Sequence, residues 1–262
     1  MSIARGLSVV RFKNPYTDEL PSLLTQLYGG GQQGAMFIPK PIVLGQQTLF
    51  QDAAGTLPVT ADGDPVGLMM DLSGNGNHAS QPVSAARLIY RTDGALHWLQ
   101  GDGQQQIQLT YSTPITQPTT YCAGIELEGG LQKMQVLGGN SVSLRHLPFY
   151  IDATRTARTY AGASYFTIGD YESLGYMTPS VITCRIDGEV SLHRRNGHKS
   201  AEGGLASNGS SGLSILGPGN TTGNTTGYPA RGKLYGIIAV HQSAGDYDAM
   251  EQYIADLSGV VL

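Results

Sequence analysis

The stretch "SVITCRIDGEVSLHRRNG" (180–197) constrains the fold most. It holds two runs suited to strands, 181–186 and 189–194, with Asp187-Gly188 between them and Asn196-Gly197 after the second. Asp-Gly and Asn-Gly readily supply the positive φ angles of tight hairpin turns. Two such turns in close succession leave room for one short strand between them, so the chain must run antiparallel here. Similar runs recur along the sequence: "TYCAGIELE" (120–128), "KMQVLGG" (133–139), "SVSLRHLPFYI" (141–151), "GLSIL" (212–216) and "KLYGIIAVHQ" (233–242). The last is largely apolar, which predicts a central strand covered on both faces. Composition agrees with an all-β chain. Glycine accounts for 36 of 262 residues and charged residues for 14%, against about 25% charged in an average globular domain. A chain of this length can bury a sizeable core as one large β domain.

Helical spacing is confined to the two ends. Tyr247, Met250, Tyr253, Ile254 and Leu257 recur every three or four residues. Ser243 is placed to cap that helix, Asp246 and Asp248 suit the positive end of its dipole, and Gly259 stands where it should stop. Near the N-terminus, Pro15, Pro21 and Gly29-Gly30-Gly31 break the pattern and leave a short helix over 22–28, with Leu23, Leu24 and Leu27 on one side. Residues 1–35 are too few to fold alone. They read either as an arm packed on the main domain, 36–262, or as an attachment arm docking on a neighbouring subunit.

Several partner classes are disfavoured. Net charge is -4 with only 16 Lys and Arg and no basic block, whereas nucleic acid binding needs clustered cations. No stretch approaches the ~20 apolar residues of a membrane span. Arg5 and Arg11 surround only a short apolar run, unlike a secretory signal. Without a secretory route the glycosylation triplets at Asn208, Asn220 and Asn224 mean little, and 219–227 reads as a flexible surface loop. Cys122 and Cys184, both in apolar strand-like runs, are expected as buried free thiols, with a mutual disulfide as the testable alternative.

The landmark "LFQDAAGTLPVTADGDPVGLMMDLSGNGNHASQP" (49–82), the later "LHRRNG", and the "GKLYGIIAVHQ" strand followed by a helix ending in "LSGV" resemble the concanavalin A-like, laminin-G-like jelly rolls common in tailed-bacteriophage structural proteins. The resemblance covers about 35–262. It implies an all-β jelly-roll sandwich with a C-terminal helix and an N-terminal arm. It further implies a non-enzymatic virion component, assembled in the host cytoplasm as a capsid decoration, tail-fibre or baseplate protein. Its partners would be other virion proteins, engaged through the arm, and further copies of itself as a homo-oligomer, although no heptad or collagen repeat marks one. The alternative is an adhesin whose loops bind host-surface glycan; a glycanase is the third reading.

Four groups of residues bear on those readings. "DLSGNGNHAS" (71–80) reads as a turn: Asp71 and Ser73 bond local N–H groups, Gly74, Asn75 and Gly76 allow left-handed backbone, Asn77 closes the turn, and His78-Ala79 begins the next strand. A calcium loop is the sharper alternative, but Asp71 is its one carboxylate, with Asp62 and Asp64 upstream, whereas calcium takes about six to eight oxygens. Glu126 and Glu128 share a strand face about 7 Å apart and resemble part of the acid set of jelly-roll glucanases. Leu131 occupies the place of the third acid, and Gly129-Gly130 interrupts the strand. His146, His193, His198 and His241 lack metalloprotease spacing, and no Gly-x-Ser-x-Gly elbow is present. Tyr160, Tyr165 and Tyr171 of "YAGASYFTIGDY", with Tyr150 and Tyr176, read as a sugar-stacking surface or as core. Trp98, flanked by Leu96 and Leu99, is expected in the core. No catalytic, cofactor-binding or metal-binding residue is assigned.

Overall fold

The computed structural model describes residues 14–130, 134–139, 146–207, 209–217, 230–242 and 247–262. Arg5, Arg11, Leu131, Asn208, Asn220, Asn224, the loop 219–227, Ser243 and Asp246 lie outside the described residues. The apolar strands Thr119–Leu127 and Arg231–Val240 pair antiparallel, with Thr120 opposite Val240 and Leu127 opposite Gly232. They form the centre of a first sheet. On one side follow Ser180–Ile186, Ser191–Arg195 and His198–Gly203; on the other follow His97–Asp102, Leu88–Thr92 and Pro65–Val66. Gly34–Phe37 pairs with the second half of Arg231–Val240. A second antiparallel sheet runs Ser164–Asp170, Thr156–Ala161, His146–Ile151, Met134–Gly139, Ser210–Ile215, Ile107–Ile115, Ala79–Ser80, Leu68–Met69, Leu49–Phe50. The two inner faces enclose one core that includes Tyr121, Ile125, Phe149, Ile182, Leu213 and Leu234. This is the expected jelly-roll sandwich.

A second core explains why Thr119–Leu127 is apolar at nearly every position. Its outer face, with those of its neighbours, is covered by helix α1 (Leu20–Tyr28) and helix α2 (Tyr247–Ser258). Met250, Tyr253, Ile254 and Leu257 of α2 meet Leu20, Leu23 and Leu27 of α1 and Cys122, Val181 and Ile238 of the sheet. Each large apolar side chain buried this way contributes roughly 1.5–3 kcal/mol relative to exposure. Gly124 and Gly236 let α2 sit close: a Cβ on Gly124 would lie 3.1 Å from Ile254, and one on Gly236 3.0 Å from Leu257. Polar contacts lock the arrangement. Glu251 of α2, 1% exposed, takes two hydrogen bonds from Arg194, Nε at 2.8 Å and Nη2 at 2.9 Å. Truncating one partner of such a pair strands the other charge in a low-dielectric site. Residues 14–35 thus pack on their own sheet.

The turns follow the expectation in one case and depart from it in the other. Asn196 and Gly197 have φ of 46° and 79°, and Arg195 pairs with His198 across them. Asp187-Gly188, however, does not make a two-residue turn. A short helical turn, Gly188–Val190, intervenes, and the next strand begins at Ser191 instead of 189. The Asp187 N–H donates to Ser191 Oγ, which in turn donates to the Gly188 carbonyl. This local side-chain bonding offers the backbone an alternative to the tight hairpin.

Cys122 and Cys184 are buried free thiols. Cross-strand register sets Cys184 opposite Tyr121 and Cys122 opposite Thr183. Side chains alternate along a strand, so the two sulfurs point to opposite faces: Cys184 into the sandwich core, Cys122 toward the helices. Burial raises both thiols well above their ordinary pKa. Denatured without reductant, the protein is expected to titrate with two free thiols, and the folded protein to resist a thiol reagent. Fewer than two thiols after denaturation would overturn this assignment.

Candidate functional site

The "DLSGNGNHAS" stretch is a clamp on the chain where α1 hands over to the first strand. Asp71 Oδ1 accepts the N–H groups of Met36 and Ser73, both at 2.9 Å. Its Oδ2 accepts the Asn77 N–H at 2.9 Å and the Ser73 hydroxyl at 2.8 Å. Asn75 and Asn77 donate side-chain N–H groups to the Gly34 carbonyl at 3.2 and 2.7 Å. The Asp71 N–H donates to Nδ1 of His78 at 3.0 Å. Gly74 and Gly76 take φ of 87° and 73°, which closes the loop without strain. Gly34 itself has no alternative: a Cβ there would lie 2.1 Å from the Ala239 carbonyl oxygen. The upstream acids are engaged elsewhere, Asp62 with Arg91 at 3.3 Å and Asp64 with the N–H groups of Thr60 and Ala61. Among the described residues, no group of three or more His, Cys, Asp or Glu is placed to hold a metal ion.

The acid pair lies on the outer face of the first sheet. Glu126 accepts the Tyr235 hydroxyl at 2.8 Å and Lys233 Nζ at 2.9 Å; Glu128, just past the strand end, pairs with Arg231 at 3.3 Å. Separate cations hold the two carboxylates. Trp98 belongs to this outer face and not to the core. Leu99 is fully buried in the sandwich, so its strand neighbour must face out. Trp98 sits 6.1 Å from the Tyr235 ring, with Lys233 Nζ 5.2 Å from its own ring centre.

The histidines do not assemble. His146 lies within hydrogen-bonding distance of the Tyr121 hydroxyl, 3.1 Å, and His241 of the Thr116 hydroxyl, 3.1 Å. His198 is exposed on an edge strand. His193 is fully buried, its ring stacked 5.5 Å from Phe149. A cleft of about 370 Å³ opens between the two helices, lined by Asp18, Glu19, Ser22, Leu23, Gln252 and Tyr253.

The tyrosines divide into two sets. Tyr171 and Tyr176 are fully buried in the sandwich core. Tyr150, Tyr160 and Tyr165 instead form a ladder across the outer face of the second sheet. Register builds it. Tyr160 is opposite Tyr165, and Tyr150 is opposite Arg158, two residues from Tyr160 on the same face. Bulges at 147–150 and at 157–158 set these positions outward, so Ile151, Ala157 and Phe166 turn into the core. Gln135, opposite Tyr150, extends the face onto a fourth strand. The rings contact in sequence, Tyr150 edge-on to Tyr160 at 5.7 Å and Tyr160 tilted against Tyr165 at 4.9 Å. Each such pair is worth about 0.5–1.5 kcal/mol beyond its buried area. Tyr165, at the sheet edge, stays 49% exposed.

A polar pair lies against the ladder. The Arg158 guanidinium carbon sits 4.6 Å from the Tyr165 ring centre, its Nη1 donates to the Tyr160 hydroxyl at 3.3 Å, and its Nη2 pairs with Asp152 at 2.7 Å. Burial pushes the Asp152 carboxyl up, but hydrogen bonds from the Thr154 hydroxyl and the Thr156 and Thr154 N–H groups, with the Arg158 charge, outweigh it and hold it below the usual range. The face thus offers an exposed aromatic ring beside a fixed donor and a fixed acceptor. Arg158, Asp152 and Gln135 went unread in the sequence. The signal was there in period two: Arg158-x-Tyr160 and Tyr165-x-Thr167 flank the Gly162 turn and fall on one face.

No protein-family model matches the chain, and no curated protein matches it. Among solved structures, the chain is similar to the sialidase of Trypanosoma rangeli in complex with 2,3-difluorosialic acid, at 10% identity and a TM-score of 0.54 over 86% of this chain and 33% of that one. The same sialidase in complex with 2,3-difluoro-KDN matches at 12% identity and 0.52, over 75% and 31%. A third structure of it, described simply as the sialidase, matches at 14% and 0.51, over 76% and 32%. The chain therefore spans about a third of the length of the sialidases it matches, and the likeness is one of fold. The expectation that the chain is not an enzyme is overturned by these matches: the sandwich recurs within sialidases, which are enzymes, so a jelly roll of this kind is no ground for excluding catalysis.

Proposed function

We propose that the chain binds carbohydrate at the Tyr150–Tyr160–Tyr165 face. The observation that carries this reading is the ladder itself, in which Tyr160, 9% exposed, backs the half-exposed Tyr165 ring beside the Arg158–Asp152 pair. The C–H face of a pyranose or furanose ring packs on a tyrosine ring, and its hydroxyls both donate and accept. A carboxylate only accepts and a guanidinium only donates, so neighbouring hydroxyls satisfy both at once. Sites of this kind join apolar contact to a few fixed polar groups. The fold likeness to a sialidase seen with bound sugar acids supports a carbohydrate setting. Tyr165→Ala is expected to weaken glycan binding by about tenfold or more, roughly 1.4 kcal/mol, as truncation of an aromatic anchor does. Tyr165→Phe should retain most of it. Calorimetric titration of a glycan found on an array is the measurement. Unchanged affinity in Tyr165→Ala would sink the proposal.

The finer reading places this module on a tailed-phage virion as a host-glycan adhesin. It rests on the resemblance of 49–82 and its companion landmarks. The matched structures above are not phage proteins and lend it no support.

A further inference from the structure

We infer that the tyrosine face selects neutral sugars and discriminates against anionic ones; this rests on the carbohydrate reading of that face. The charge arrangement carries the inference. Arg158 is the single cation among the described residues of the four strands that build the face, and Asp152 neutralises it at 2.7 Å. Next to that pair, Arg155 is bridged to Asp170 at 3.3 Å and to Glu172 at 3.0 Å. Among the described residues, two guanidinium groups therefore face three carboxylates. Hydrogen bonds from the Ser173 N–H and hydroxyl, and the Arg155 charge, keep Asp170 below its usual pKa, so it stays ionised through the neutral range.

Among the described charges, an incoming carboxylate or sulfate thus meets more carboxylates than guanidinium groups. To reach a guanidinium it must displace Asp152, which the Thr154 and Thr156 N–H groups and the Thr154 hydroxyl hold in place at 2.8, 3.0 and 2.7 Å. A neutral sugar meets none of these penalties. Its hydroxyls accept from Arg158 and donate to Asp152 without separating them. The fold likeness to a sialidase thus does not carry over to the charge of the ligand.

The test is a matched panel of glycans, each neutral member paired with its sialylated or uronic-acid counterpart, applied to the full chain and to variants. Neutral members are expected to bind, with the anionic counterparts at least about tenfold weaker. Both Asp152→Asn and Glu172→Gln should narrow that gap by roughly two- to fivefold, as expected for freeing a partly exposed cation. Glu172→Gln keeps the test usable if Asp152→Asn, which removes a turn acceptor, fails to fold. Anionic members binding as tightly as neutral ones, with the binding lost in Tyr165→Ala, would overturn the selectivity and leave the carbohydrate reading standing. Binding by no member, or binding indifferent to Tyr165→Ala, would overturn both.

Discussion

Asp71→Ala is expected to destabilise the protein by about 3–5 kcal/mol, because it orphans several buried N–H donors at once. The carboxylate is 9% exposed and accepts from Met36, Ser73 and Asn77 backbone N–H groups and from the Ser73 hydroxyl. Met36 lies on Gly34–Phe37, which pairs with the central strand Arg231–Val240, so the loss propagates into the second core. For a chain of this size the melting midpoint should fall by roughly 10 °C. Asp71→Asn keeps one carbonyl acceptor and should lose about half as much. Asp64→Asn, at an exposed turn with two N–H partners, should lose less than about 1 kcal/mol. Thermal and urea unfolding of the three variants checks the order. Asp71→Ala within 1 kcal/mol of wild type would show that the clamp is dispensable. A calcium-dependent rise in the wild-type midpoint that disappears in Asp71→Ala would instead make the loop an ion site.

The second large effect concerns acid. His193 is fully buried, and neither ring nitrogen has a hydrogen-bond partner among the described residues. Burial first, and the nearby Arg195 charge second, push its pKa down to about 3 from an ordinary 6.5. The folded protein therefore keeps this imidazole neutral while the unfolded chain protonates it below pH ~6.5. Stability is fully present above the unfolded pKa, falls as pH drops through 6.5, and levels off below the folded value. Between pH 7 and 4.5 this group alone is expected to cost about 2–3 kcal/mol. Carboxylates held below their usual range, such as Asp152, lose their contribution only below about pH 4, so the two windows separate. His193→Leu is close in volume, removes two unsatisfied polar atoms, and should lie within about 1 kcal/mol of wild type at pH 7. Its stability should fall less steeply where wild type declines, keeping the contribution of His97, whose pKa burial also lowers. Parallel pH–stability curves for the two proteins would refute the assignment.

Much of the secondary structure was legible because local chemistry determined it. Asn196-Gly197 makes its turn since both positions tolerate positive φ. α2 follows from apolar spacing alone, ended by Gly259. The uninterrupted apolar run 234–240 required a strand buried on both faces. The "DLSGNGNHAS" turn was readable too, because Asp71, Ser73, Gly74 and Gly76 act within their own loop.

What sequence left open, tertiary structure decided. Period two states which residues share a face but not which face is inside, so Tyr165 and Phe166 could not be told apart by side, and Tyr165 stays half-exposed while Phe166 enters the core. Trp98 went outward because its neighbour Leu99 went inward, a choice made by the packing of two sheets. The bulges near Arg158 and Tyr150 reset the alternation, and only cross-strand register brings residues 135, 150, 158 and 165 together. Hydrogen bonds to Gly34 and Met36 are equally non-local, so the clamp's target was invisible from the clamp. Turns and helices are settled by interactions within a few residues; a site assembled across four strands is settled by how the sheet pairs and which face it buries.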